Sequence, residues 1–128
     1  MERYLLVALG GALGAMSRYL VAGWVQGLAG SFFPWGTLAV NALGSFLLGG
    51  VLGLAERGAV SPEARLLVGV GFLGAFTTFS TFSYEAFSLL REGAYPAALT
   101  YLFGSLLLGI VGVVLGFGLA RLTGGGSL

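Results

Sequence analysis

YLVAGWVQGLAGSFFPWGTLAVNALGSFLLGGVLGLA, residues 19–55, carries no charged side chain. Its 37 residues far exceed the roughly 20 apolar residues with which an α-helix crosses a bilayer. The chain must therefore turn inside the run. Gly27-Leu-Ala-Gly-Ser-Phe-Phe-Pro34 collects the turn formers, and Trp24 and Trp35 flank it as interface anchors. A first span is expected over about residues 4–26 and a second over about 34–55, with Pro34 acceptable in a first helical turn.

The charges on either side divide the rest. Glu56-Arg-Gly-Ala-Val-Ser-Pro-Glu-Ala-Arg65 is the most polar stretch and reads as a loop. Within it Ser61, Pro62 and Glu63 make a helix start: a capping hydroxyl, a first-turn proline and an acid near the positive end of the dipole. A third span follows over about 62–91. Arg91-Glu-Gly-Ala-Tyr-Pro96 is the next loop, a fourth span covers about 95–122, and Gly124-Gly-Gly-Ser reads as a flexible tail. The expectation is an all-α integral membrane protein with four transmembrane helices in one domain, residues 1–128. Met1-Glu-Arg-Tyr runs straight into a long glycine-rich apolar stretch, which reads as a retained first span and not a cleaved signal.

Composition agrees. The chain is 57% hydrophobic and 9% charged, with a mean hydropathy of +0.97, whereas soluble domains carry about 25% charged residues. A net charge of +1 gives no reason to expect nucleic-acid binding. The chain has no Cys, His or Asp; its acids are all Glu and its bases all Arg. Disulfides, thiolate nucleophiles, zinc thiolate sites and histidine bases are all excluded, and an enzyme is not expected.

Glycine is abundant, at 24 residues. Gly10/Gly14, Gly23/Gly27, Gly49/Gly53 and Gly112/Gly116 have the small-xxx-small spacing that lets membrane helices approach closely. Four such pairs on short helices predict packing within the chain together with self-association. Both ends of a four-span chain share a side. Arg3, Arg57, Arg65 and Arg121 fall there and Arg91 on the other, so the positive-inside rule leans towards ends inside.

The chemistry concentrates in Gly74-Ala-Phe-Thr-Thr-Phe-Ser-Thr-Phe-Ser-Tyr-Glu85, with five hydroxyl residues, Thr77, Thr78, Ser80, Thr81 and Ser83, inside an apolar span. Unpaired hydroxyls in hydrocarbon cost on the order of 2–7 kcal/mol, so a polar path, a packing surface or a helix break is implied. Gly69, Gly71 and Gly74 weaken the helix just before it, and Thr77 and Thr78 can bond the preceding carbonyls. A break near 74–78 is expected over a kinked continuous helix. It would leave carbonyl oxygens free as hard-cation ligands.

Around it, Thr37, Asn41 and Ser45 repeat every four residues as a polar stripe. Asn41 either glues two helices or donates an amide N–H to an anion or water. Phe76, Phe79 and Phe82 recur every three residues; they either pack or present positive ring edges to an anion. Arg18, roughly 21 Å into span one, snorkels or forms an anion-attracting vestibule. Glu85 pairs, caps a vestibule or reaches the interface, and Tyr101 and Ser105 offer a second line of hydroxyls.

Together these residues resemble the Fluc (CrcB) family of fluoride channels. The resemblance rests on Gly10-Gly-Ala-Leu-Gly-Ala-Met-Ser-Arg-Tyr19, on Gly36-Thr-Leu-Ala-Val-Asn-Ala-Leu-Gly-Ser-Phe46 and, most specifically, on Gly74-Ala-Phe-Thr-Thr-Phe-Ser-Thr-Phe82. It implies an antiparallel, dual-topology homodimer in the inner (plasma) membrane, with two pores at the interface through which fluoride leaves the cell passively. It implies that Asn41 coordinates fluoride, that Phe79 and Phe82 line the pore by their edges, and that Ser80, Thr81, Tyr101 and Ser105 form a polar track. Arg18 and Glu85 would sit at vestibules. A central structural Na⁺ would be held by the carbonyls of Gly74 and Thr77 from both subunits. The chain departs from the family pattern at Gly109, where the span-four track often continues with another hydroxyl. Two other readings compete, a small dual-topology multidrug/proton antiporter and a structural membrane subunit. The first needs a membrane carboxylate that the core of span one lacks, and the second leaves the Thr-Phe-Ser-Thr-Phe run unexplained.

Overall fold

The computed structural model describes residues 1–123; the expected Gly124-Gly-Gly-Ser tail lies outside them. Helix α1 covers Glu2–Ala29 and α2 covers Trp35–Glu56. Between them the chain turns in five residues, as the long uncharged run requires. Gly30 ends α1 in the left-handed conformation (φ 57°), which a side chain would resist, and its amide donates to the Gln26 carbonyl at 3.1 Å. Gln26 then pins the turn. Its Nε2 donates to the carbonyls of Ser31 (2.8 Å) and Phe33 (3.0 Å), and its Oε1 accepts from the Gly36 amide (3.0 Å). Pro34 is the residue capping α2 and not part of its first turn, with ψ at 69°.

The third span is interrupted. Its first half, α3, runs over 62–76. Ser61 Oγ caps it by accepting from the Ala64 amide at 3.1 Å. From Arg65 to Leu73 it widens into a π-helix, and the Gly74 amide reaches back five residues to the Gly69 carbonyl. A further turn, Gly74–Phe76, follows. Thr77 and Thr78 are then extended (ψ 158° and 125°), which is the expected break. Helix α4, Phe79–Arg91, resumes the span, and α5, Tyr95–Leu122, is the fourth. All four spans are long and apolar enough to cross a membrane, so the chain is an all-α, multi-pass membrane protein.

Glycine sets the packing. A side chain at Gly10 or Gly14 on α1 would strike the backbone of α3 at Leu67 and Phe72. Gly49 and Gly53 on α2 lie against Val113 and Phe117 of α5, and Gly116 of α5 lies against Phe46. Backbones approach this closely only where Cβ atoms are missing. Gly23 and Gly27 differ: the space beside each is open. Their spacing matches that of the other pairs, but no helix among the described residues packs against them.

Leu5, Leu9, Leu13, Met16 and Leu20 form an exposed apolar stripe along α1, as Phe103, Leu107, Ile110 and Val114 do along α5. The buried cluster lies nearer one end, where Tyr101 and Ala98 of α5 meet Ala86 and Leu89 of α4. Phe33 closes it with an edge-on contact to Tyr101, ring centroids 5.5 Å apart. At the other end Arg57 donates through Nη1 to the Ala120 carbonyl (3.0 Å), and Arg121 pairs with Glu56 at 3.3 Å.

Candidate functional site

One side chain of α2 takes both backbone groups of the break's second residue. Asn41, about two turns into α2, accepts from the Thr78 amide through Oδ1 (2.8 Å) and donates through Nδ2 to the Thr78 carbonyl (3.1 Å). It thus gives an extended residue the pair of bonds a neighbouring strand would give. Because an amide N–H can bond only the oxygen, the orientation of the Asn41 carboxamide is determined. Helix glue is realised here. Nδ2 nevertheless carries a second N–H beyond the one used on Thr78, so the donor reading is not exhausted.

Threonine chemistry finishes both helix ends. Thr77 Oγ1 donates to the Leu73 carbonyl at 3.1 Å, closing α3. Thr78 Oγ1 accepts from the Thr81 amide at 3.3 Å, capping α4. The tandem threonines do two jobs that density of hydroxyls alone did not separate. Ser83 spends its hydroxyl on the Phe79 carbonyl, 2.9 Å away.

Beside the clamp lies a cavity of about 220 Å³, lined by Asn41, Ser45, Thr77, Thr78, Phe79, Phe82, Ser105, Leu106 and Gly109. No ionisable side chain is among them. The lining brings together four of the expected path residues: Asn41, Phe79, Phe82 and Ser105. It also includes Ser45, from the α2 polar stripe, and Gly109, the position at which the expected span-four track lacks a hydroxyl. Phe79 is 79% exposed on this chain, and its ring lies 6.0 Å from Phe82, tilted by 51°. Phe82 in turn packs on Tyr101 at 5.0 Å. Phe76 does not join them. The break separates it from the other two, and it is buried on the far side, stacked on Phe72 at 5.9 Å.

Tyr101 donates its hydroxyl to Glu85 Oε1 at 2.9 Å. That contact puts Glu85 one step from the cavity through the Phe82–Tyr101 pair, and a separate recess formed with Gln26, Ser88 and Glu92 receives its other side. Ser105 is one turn beyond Tyr101, and its Oγ is buried without a partner among the described residues. Ser80 is exposed and outside the cavity lining, and Thr81 lies half-buried on α4, also outside it. Arg18 lies against the break: its Nε donates to the Ala75 carbonyl at 2.9 Å, one of the oxygens that interruption of the helix frees.

The remaining backbone oxygens suit a hard cation. In a continuous helix the Thr78 amide would take the Gly74 carbonyl, but here it goes to Asn41, and Thr77 is extended, its amide making the last helical bond of α3 to the Leu73 carbonyl at 3.2 Å. Among the described residues no group of three His, Cys, Asp or Glu offers a metal site; carbonyl oxygens are the hard-cation ligands that a helix break can present.

Against this geometry, the chain matches the family model described as CrcB-like protein, Camphor Resistance (CrcB), over residues 5–117. It is 60% identical over 116 residues to a protein of Thermus thermophilus, covering 91% of each chain. It is 55% identical over 117 residues to one of Hahella chejuensis, covering 91% of this chain and 92% of that one. A relative in Geobacter sulfurreducens is 49% identical over 122 residues, covering 94% and 98%. All three are named fluoride-specific ion channel FluC.

Proposed function

The chain belongs to the CrcB family, and from that premise we propose that it is a fluoride-selective channel of the inner membrane and not an enzyme. Fluoride would leave the cytoplasm passively, down its gradient and helped by a negative interior. The observation that carries this reading is the cavity at the break, where one amide, several hydroxyls and two phenylalanine rings converge without a charge. Fluoride binds water tightly, so a conducting site must replace that shell with many modest donors. A fixed cation would hold the ion instead of passing it. The second N–H of Asn41, the Ser105 hydroxyl and the edges of Phe79 and Phe82 are donors of that strength. Tyr101 and Glu85 extend the polar line beyond Phe82, and Ser80 and Thr81 add hydroxyls on α4.

Two features support assembly as an antiparallel homodimer. Phe79 stands largely exposed on the isolated chain, and the cavity beside it is open and not enclosed, so the path is half walled. A second copy would supply the other wall, and twofold symmetry would make two paths. The Gly74 and Thr77 carbonyls of the two copies would hold a Na⁺, which when bound supplies a positive centre joining the two breaks. The arginine distribution leans towards one orientation, and a dual-topology pair must insert against it. Arg18 stands outside the lining of the cavity, its Nε spent on the Ala75 carbonyl.

The test is efflux from liposomes loaded with fluoride and chloride, each followed by its own electrode. Purified protein is expected to release fluoride rapidly and retain chloride. Retention of both ions by folded protein would overturn the reading.

A further inference from the structure

The hydroxyl line on α5 stops one turn early, and another helix stands ready to continue it. Ser105 Oγ is buried without a partner among the described residues. Four residues on, α5 carries Gly109, which offers no side-chain donor. A Cβ built there would meet one atom within 4 Å, the Ser45 Oγ of α2, at 3.7 Å. The gap left by Gly109 also joins two spaces. Ser45, Ser105, Leu106 and Gly109 line the 220 Å³ cavity at the break and equally a second groove of about 360 Å³ that continues along α5 past Ile110. Beyond these two serines the groove is walled by aliphatic side chains, so an anion moving between the spaces finds no other side-chain donors there.

We propose that Ser45 and Ser105 form a two-hydroxyl fluoride subsite at this junction, with Ser45 supplying from α2 the donor that α5 lacks at Gly109. The inference rests on the fluoride-channel reading above. Chemically it requires little: each serine turns its O–H towards the ion, and the open volume at Gly109 leaves room for the water still attached to it. Ser45 is half-buried and one turn from Asn41 on the same face, so the amide and the hydroxyl act in sequence along α2.

The experiment moves the hydroxyl across the gap. Ser45→Ala is expected to slow fluoride efflux about tenfold, the size of one lost hydrogen bond to a charged group. Ser45→Ala combined with Gly109→Ser returns a hydroxyl to the junction from α5 and is expected to restore efflux to within about twofold. Ser45→Thr, which keeps the hydroxyl, should stay close to the unsubstituted rate. An unchanged rate in Ser45→Ala overturns the subsite, as does a slow rate that Gly109→Ser leaves slow, which would mark Ser45 as a packing residue. Absence of fluoride efflux from the unsubstituted protein would defeat the channel reading itself and the subsite with it. Efflux intact in both the unsubstituted protein and Ser45→Ala defeats the subsite alone.

Discussion

The contact of α2 with α5 and the contact of α2 with the break use one helix in opposite ways. Against α5, α2 offers absences: Gly49 and Gly53 let the backbones of Val113 and Phe117 come close. Against the break, α2 offers a single long polar side chain, Asn41, and both of its functional ends are engaged. Close packing suits two regular helices, whose backbone groups are already bonded within each. An interrupted helix has loose backbone groups that hydrocarbon will not solvate, and Asn41, with a donor and an acceptor, takes both of those on Thr78. The glycine contact therefore supplies rigidity, while the asparagine contact permits a polar cavity at membrane depth.

Substitutions separate the two kinds of contact. A large effect is expected from Gly116→Leu, whose side chain would enter the Phe46 backbone; overpacking of this type costs about 1–3 kcal/mol or more. The helical population of purified protein should fall at lower denaturant, whereas Gly23→Leu, facing open space within the chain, should leave that midpoint unchanged. Equal losses from both would erase the distinction drawn between the glycine pairs.

Asn41→Leu strikes the other contact. It leaves the Thr78 N–H and C=O unpaired, at about 1–3 kcal/mol each, and removes a donor from the cavity. Asn41→Asp keeps an acceptor for the Thr78 amide but places a carboxylate in the fluoride path. Its fluoride efflux is expected to fall about ten- to a hundredfold with the fold retained. Efflux at the normal rate in Asn41→Asp would show that the asparagine serves the backbone only.

Gln26→Ala should cost less, about 1–2 kcal/mol, because the backbone groups it releases lie at a partly exposed turn that water can reach. The same denaturation measurement checks it, and fluoride selectivity should not move. Arg121→Ala sits at the bottom of the scale. Its ion pair with Glu56 is exposed (42% and 61% of the two side chains), and such pairs contribute at most about 1 kcal/mol.

Much of this was legible in the residues. The uncharged run 19–55 forces a turn, and the glycines at 69, 71 and 74 followed by tandem threonines mark the break. Periodicity marked Asn41, although spacing could not say whether its amide would meet backbone or ion; in the structure the backbone takes two of its bonds. Other features were invisible for physical reasons. Gly23/Gly27 and Gly10/Gly14 have the same spacing, and only the path of the neighbouring helix distinguishes a packed face from an open one. Phe76 shares a three-residue rhythm with Phe79 and Phe82, but the rhythm assumes a continuous helix, and two extended residues intervene. Arg18 meets Ala75 across 57 positions of sequence. The nearness of Ser45 to Gly109 likewise belongs to the α2–α5 register and not to either helix.

The central claim is that an uncharged, donor-lined path conducts fluoride and refuses chloride. The most direct measurement is the reversal potential of purified protein in a planar bilayer, with fluoride salt on one side and an equal concentration of chloride salt on the other. A large reversal potential displaced towards that of fluoride is predicted, with current abolished when chloride replaces fluoride on both sides. A reversal potential near zero, with chloride carrying comparable current, would contradict the account.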